Sequence, residues 1–380
     1  MEIYLDNSAT TAVYPEVAQT VYNTMLQNYA NPSALHRMGK QAEDLLTQSR
    51  KIIASTVYGT PSEIYFTSGG TESDNIAIIG YAHANKRSGN RIITQTTEHA
   101  AVLEAFAKLE EEGCEVVRIG VDSEGFPLLD ELEAAIDDNT ILLSFMYVNN
   151  ENGAIFPIDK ISALCDHKKC MLHVDAVQAY GKIPINVTKS KIDLLSVSSH
   201  KIHGPNGIGA LYVRKGVKIN PIVFGGKQEQ GLRSGTENIA AVAGFAKAAQ
   251  MKLASLDSDS QKVSELKNTL IKTLCETLEN VVVNSPENSI YSIANISFPG
   301  VKSEVLLHVL ESNGIYVSTG SACNSKKNKF SYVLKEMKLK NDVIDSAIRF
   351  SLSAMNTKEE IDQVCKVLQK EVPLLRKIMR

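Results

Sequence analysis

Through the first two-thirds of the chain, short apolar runs alternate with stretches of helical periodicity. Candidate strands are Ile64–Thr67, Arg91–Thr94, Glu115–Ile119, Ile141–Tyr147, Met171–Val174, Asp193–Val197 and Gly209–Val213. Between them lie amphipathic stretches such as Ser73–Asn85, Ala100–Glu111, Leu128–Ile136 and Ile158–His167. Such alternation predicts an α/β fold, a mostly parallel sheet covered by helices. Ligands of these sheets collect at the loops that leave the carboxyl ends of the strands. Gly69-Gly70, Asp175 and Lys201 all fall at such loops.

At 380 residues the chain is too long for one ordinary core. After a helix at Ile239–Ser255 the composition changes. A polar, Ser/Lys-rich stretch, Leu256–Lys267, runs into a new helix, followed by strands Val281–Val283 and Ile293–Phe298. A helix near Ser303–Leu310, a strand near Ile315–Ser318 and a last helix near Lys358–Leu368 complete the pattern. We expect a large domain over 15–257 and a smaller α/β domain from 1–14 and 258–380.

Forty basic residues against 43 acidic ones, a net charge of -3, leave no nucleic-acid footprint. No apolar run approaches the roughly 20 residues of a membrane span. The amino-terminal MEIYLDNSATT has neither the basic patch nor the apolar run of a secretory signal. The six cysteines are scattered without a CxxC pair, as expected for reduced thiols in the cytoplasm. Cys165, His167, Cys170 and His173 cluster, but their spacing fits no standard zinc pattern, and a helix-to-strand junction explains their proximity as well.

Lys201 sits in Ser198-Ser199-His200-Lys201, ahead of a glycine-rich stretch. Its amine could carry an aldehyde cofactor as an imine, with nearby hydroxyls and N–H groups holding a phosphate. Asp175, at the end of a strand, could supply the carboxylate that a pyridinium nitrogen needs. Ser68-Gly69-Gly70-Thr71 reads as strand, tight turn, then helix, which fits an anion cup or a plain capped turn. His99, also past a strand, could stack on a cofactor ring and move protons, or be structural. Asn150, in Asn149-Asn150-Glu151, could bond a ring oxygen or merely shape a turn.

Cys323 lies among small polar residues and precedes Lys326-Lys327-Asn328-Lys329, which favours a reactive thiolate. The other cysteines read as structural, with Cys275 and Cys365 among apolar neighbours on helices. Arg233 lies in a glycine-rich loop with Thr236. Arg349 interrupts an apolar run, where it either pairs with a surface acid or captures a carboxylate with its two-pronged head.

These segments occur in the order found in one family. SGGTESDN, TTEH, NNE, DAVQA, HK followed by GPNGIGALYVR, RSGTEN, NISFPG and GSAC are all present and in register. The chain resembles cysteine desulfurases of the NifS/IscS type, in the class V aminotransferase group of fold type I pyridoxal-phosphate enzymes. The resemblance runs from Tyr4 to Asp362.

It implies a PLP-dependent transferase fold and a homodimer with two composite active sites. Pyridoxal 5'-phosphate would form a Schiff base on Lys201, with Asp175 at the pyridinium and Gln178 and Asn150 at the ring oxygen. Gly70, Thr71, Ser198, Ser199 and His200 would hold the phosphate, joined by Thr236 of the second subunit, and His99 would stack on the ring. Arg349, Asn7 and Asn150 would bind the carboxylate of L-cysteine. Cys323 would take the sulfur as a persulfide, leaving L-alanine, and could transiently ligate a nascent iron–sulfur cluster on a scaffold; no resident metal is implied. Iron–sulfur scaffolds and tRNA-thiolation enzymes are the implied acceptors.

The chain departs from the family pattern at Asn206, where lysine is frequent, at Asn324, where threonine is, and at Phe330, where the long-loop subgroup often has proline. A selenocysteine lyase shares the first chemical steps, an aminotransferase would not need Cys323, and a non-catalytic scaffold would not need Lys201, Asp175, His99 and Cys323 together.

Overall fold

The structure is a computed structural model and describes residues 2–319 and 331–379. Its strands are β1 (Ile3–Tyr4), β2 (Ile64–Thr67), β3 (Arg91–Gln95), β4 (Glu115–Ile119), β5 (Thr140–Met146), β6 (Met171–Asp175), β7 (Leu194–Ser198), β8 (Gly209–Val213), β9 (Val282–Val283), β10 (Ile293–Ser297), β11 (Ile315–Tyr316) and β12 (Ala347–Ser351).

The main sheet runs in the order β2-β8-β7-β6-β5-β3-β4. From β4 to β7 the neighbours are parallel, while β8 is antiparallel to both of its neighbours. Every residue of β5, β7 and β8 is buried. That explains why they are mostly apolar without a polar alternation, because helices cover both faces and leave no solvent side to encode; the few hydroxyls, such as Ser144 and Ser196, are buried too. Each strand read from the sequence is present within a residue or so.

A second apolar core holds the carboxyl-terminal third. Leu266, Leu270, Phe298, Phe350 and Leu368 meet there, and the amino-terminal Ile3 and Leu5 are part of it. Around it lie the sheet β12-β10-β9 and the parallel pair β1-β11. The amino-terminal segment is tied on by Ser8 N–H, which donates to Ser351 Oγ at 2.9 Å. Among the described residues no helix is long and apolar enough to cross a membrane.

Four expectations need correcting. The polar stretch after Leu256 does not lead into a helix but is one: the helix spans Leu256–Thr277, with Val263 and Leu266 buried and most of its polar residues, though not Asp259 and Lys267, turned outward. Cys275 lies on that outward face and is exposed. The last helix runs on to Ile378 with Pro373 inside it, because Val372 and Leu375 continue the buried stripe. The expected helix Ser73–Asn85 begins earlier, at Gly70, and contains a π-helical turn at Ile76–Gly80.

Candidate active site

The carboxyl ends of β2, β3, β5, β6 and β7 converge on a cavity of about 300 Å3, lined by Gly70, Thr71, Asp74, His99, Asn150, Asp175, Gln178, His200, Lys201 and Arg349 among others. Each side chain arrives by a short path from its strand. β2 ends at Thr67, and Gly69 then takes a φ of 155°, a region L-residues avoid, to start the helix Gly70–Asn75. A Cβ on Gly70 would sit 2.6 Å from Val177 Cγ2, so only glycine lets this turn approach the loop after β6. Lys201 closes a single 3₁₀ turn directly after β7.

His99 caps the helix Ala100–Glu111, its Nδ1 accepting from Ala101 N–H at 3.2 Å. That bond places the ring proton of the neutral form on Nε2. Burial lowers the basicity of His99; the nearby Asp175 works against this and Lys201 adds to it. Asp175 ends the central strand β6 and accepts from Val177 N–H at 2.9 Å. Burial pushes its carboxyl up, opposed by His99, the Val177 bond and Lys201. Lys201 Nζ donates to the carbonyls of Ser8 and Ala9, the latter at 2.8 Å.

Gln178 is held at both ends. Its Nε2 donates to Ser8 O at 2.9 Å, and its Oε1 accepts from Lys182 Nζ at 3.1 Å. His200 is held at a pKa of about 4 by burial and by the charges of Lys201 and Lys182. Arg349, on β12, reaches across from the second core: Nη1 donates to Asn150 O at 2.9 Å and Nη2 to Asp6 Oδ1 at 2.8 Å. It therefore does pair with an acid, and that acid is a partly exposed one, while Arg349 itself is buried and lines the cavity.

Several expected residues lie outside the lining. Ser198 and Ser199 are buried beside it, and Thr236 is exposed. Asn7 spends its amide N–H on Ser351 O at 2.9 Å. Arg233 pairs with Glu72 at 3.1 Å, and Glu72 also accepts from Ser68 N–H at 2.5 Å, so this arginine braces the glycine turn. Cys323 lies outside the described residues. The chain on either side of it is anchored at the cavity. Ser318 pairs with Arg349 through two backbone bonds, of 3.2 and 2.7 Å. Ser331 Oγ donates to Glu151 Oε2, and Tyr332 Oη to Glu98 O at 2.5 Å.

Sequence reasoning missed Asp74, Glu98 and Lys182. Asp74 lines the cavity and is buried; burial and then Asp175 raise its carboxyl well above the usual range. A signal was available, since Asp74 stands one helical turn beyond Gly70 and shares its face. Glu98 accepts from Met146 N–H at 2.6 Å. Nothing local in the sequence marks this contact between two loops.

Comparison with known proteins fits this geometry. The model of the family "Aminotransferase class-V" matches residues 3–364. A cysteine desulfurase IscS of Methanosarcina thermophila is 43% identical over 374 residues, 98% of this chain and 93% of the relative. One from Clostridium botulinum is 41% identical over 380 residues, 99% and 96% of the two chains. Among solved structures, a NifS-like protein superposes with a TM-score of 0.93 at 36% identity, covering 98% of this chain and all of the other. A structure titled "SspA in complex with cysteine" does so at 0.84 and 32%, covering 94% of this chain and 100% of the other. Matched along almost its whole length by sequence and by shape, the chain belongs to the class-V aminotransferase family, among the cysteine desulfurases of the NifS/IscS type.

Proposed function

We propose that this chain uses pyridoxal 5'-phosphate to remove sulfur from L-cysteine, giving L-alanine and a persulfide on Cys323. The donor set suits the cofactor. Asn150 Oδ1, Ser198 Oγ and Arg349 Nε are buried without hydrogen-bond partners, and buried polar atoms of this kind ordinarily find one. The Gly69-Gly70 turn opens a helix amino end toward the same space, as a phosphate requires. Bound there, the cofactor would supply an aldehyde carbon for amines and a ring that withdraws electrons from the amino acid's α-carbon.

The residues divide the remaining work. Asp175 would face the ring nitrogen and Asn150 and Gln178 the ring oxygen, while His99 would stack on the ring and move protons. Gly70, Thr71, Ser198, Ser199 and His200 hold the phosphate, with Thr236 of a second copy. Arg349 orients the substrate carboxylate, assisted by Asn7. Lys201, once released from the Ser8 and Ala9 carbonyls, would hold the cofactor and would take up and return the α-proton. Cys323 thiolate forms the new S–S bond as the substrate C–S bond breaks, and a proton goes to the carbon left behind.

Chain length permits this. Ser318 is fixed beside Arg349, and the residues from it to Cys323 span up to about 17 Å when extended. A homodimer is supported by the exposed apolar residues Tyr22, Met25, Leu26 and Tyr29, an apolar surface without cover in one chain. The two cores support a division into lobes at 1–14 with 258–380, and 15–257. Scattered thiols support the cytoplasm, with iron–sulfur scaffold proteins or tRNA-thiolation enzymes as acceptors.

The observation that carries this reading is the convergence of Lys201, Asp175, His99 and Arg349 on one cavity. Its test is incubation of the cofactor-loaded protein with L-cysteine, scoring alanine and a mass increase of one sulfur on Cys323. Selenocysteine and a keto acid serve as parallel substrates. Amino transfer to the keto acid without sulfur on Cys323 would make the chain an aminotransferase.

A further inference from the structure

The opposite end of the main sheet holds a second arrangement of nucleophiles. A cleft of about 590 Å3 is lined there by Cys165, Lys169, Cys170, Asp193 and Tyr212 among others. Cys165 lies in the last turns of the helix Ile158–Lys168, and Cys170 directly precedes β6. Lys169 between them is left-handed, with a φ of 60°, which folds the chain back so that Cys170 N–H donates to Cys165 O at 3.2 Å. The same turn brings the two sulfur atoms to 3.2 Å, with both thiols free. Strand β6, about 16 Å long, separates this pair from Asp175 and the active site.

One proton shared between two sulfurs divides their acidity. The bond to Cys165 pulls the Cys170 thiol below its ordinary range, while the same bond and burial push Cys165 well up. The pair thus contains an attacking sulfur and a resolving one, both on the wall of a cleft that admits a small molecule. Two thiols do not complete a metal site, and no group of three or more His, Cys, Asp or Glu suited to a metal occurs among the described residues.

We propose that Cys165 and Cys170 form a reversible dithiol–disulfide site that reacts with small organic disulfides entering this cleft. Cys170 thiolate attacks one sulfur of R–S–S–R, forming Cys170–S–S–R and releasing RS⁻. Cys165, deprotonated in turn, attacks Cys170 Sγ, closes the protein disulfide and releases the second RS⁻. Two protein thiols lose two electrons, the small disulfide gains them, and the two thiol protons end on the two released thiols. Reduction by an excess of small thiol runs the same steps backwards. The desulfurase reading uses neither residue.

The test uses the native full-length protein and hydroxyethyl disulfide, followed by denaturing alkylation and tryptic mapping. Trypsin cuts after Lys160, Lys168, Lys169 and Lys182, so the closed site joins the peptides 161–168 and 170–182 covalently. We expect that linked pair, unalkylated at both cysteines and lost on treatment with dithiothreitol, while the buried Cys365 is recovered alkylated. Recovery of both peptides alkylated, or each carrying its own adduct, overturns the proposal. In Cys165→Ser the adduct should be trapped on Cys170, at least about tenfold more than on Cys165 in Cys170→Ser. Equal trapping overturns the order of attack, and the wild-type map decides the site itself even if a variant does not fold.

Discussion

The two ends of the main sheet handle charge in opposite ways. At the amino end, charges come in matched pairs: Arg91 with Glu115 at 2.6 Å and Asp137 at 2.7 Å, Arg214 with Asp193 at 2.5 Å, and Lys191 with Asp166 at 2.6 Å. At the carboxyl end three carboxyl groups, Asp74, Glu98 and Asp175, are pushed up by burial, and the Asp175 charge adds to the rise at Asp74 and Glu98. The nearest basic side chain to Asp74 is His173 at 3.6 Å, which burial holds neutral with a pKa of about 3. Arg349 is paired with Asp6, yet its Nε has no partner. A protein optimised for stability alone would have paired these groups. Arg91 Nε at the amino end is likewise without a partner, so it is the three buried carboxyl groups, in no salt bridge with a Lys or Arg among the described residues, that mark the end built to receive a ligand.

Perturbing either end should sharpen or break this contrast. The largest effect is expected from Lys201→Ala, which should lower turnover by about a thousandfold or more and abolish visible absorbance of the cofactor-loaded protein. Cys323→Ala should reduce alanine release by at least about a hundredfold and leave no persulfide; release at the native rate would remove Cys323 from the chemistry. Arg349→Ala should act mainly on KM for cysteine. A charge-assisted hydrogen bond is worth about 1.5–3 kcal/mol, so a rise of about 10- to 100-fold is expected, and an unchanged KM would sink its role.

Three wholly or partly buried histidines should cost stability as pH drops from about 6.5 toward 4, against the opposite pull of the buried carboxyls Asp74, Glu98 and Asp175, which hold protons more tightly in the fold than in the unfolded chain. His173, His200 and His203 have pKa values of about 3, 4 and 4 in the fold, so the unfolded chain takes up their protons first. Urea titrations across this range, compared between the native chain and His203→Gln, isolate one histidine's share: the native chain should lose more stability toward pH 4 than the variant, and equal slopes would show His203 to be less buried than described. The smallest effect on turnover is expected at the amino end. Arg214→Ala removes the half-exposed partner of the buried Asp193, which keeps its bond from Leu172 N–H, and should cost about 1–3 kcal/mol while leaving turnover within about twofold.

What the sequence made legible follows from how local each signal is. Period and turn chemistry located β2 through β8 and the loops behind them, so Lys201, Asp175, His99 and the glycine turn were found before any coordinates. Asp74 was missed because a polar residue in a short helix looks solvated until the loop after β6 is seen above it. Lys182 looked like an ordinary surface cation, yet it is buried and supports Gln178. The helix from Leu256 was hidden because its polar face masks a narrow apolar stripe. Its buried charges are tied to groups outside it, Asp259 to Lys252 of the preceding helix and Lys267 to Ile290 O at 2.9 Å, which the helix's own pattern does not show.

The amino-terminal segment has a consequence of its own. Ser8 is fixed to β12 of the second core, while its carbonyl receives both Gln178 and Lys201 from the first. Any slippage of one core against the other must therefore change what the lysine ammonium touches. That shared carbonyl couples the seat of the second core to two side chains of the cavity, so loosening Ser8 from Ser351 should be felt at Gln178 and Lys201 together.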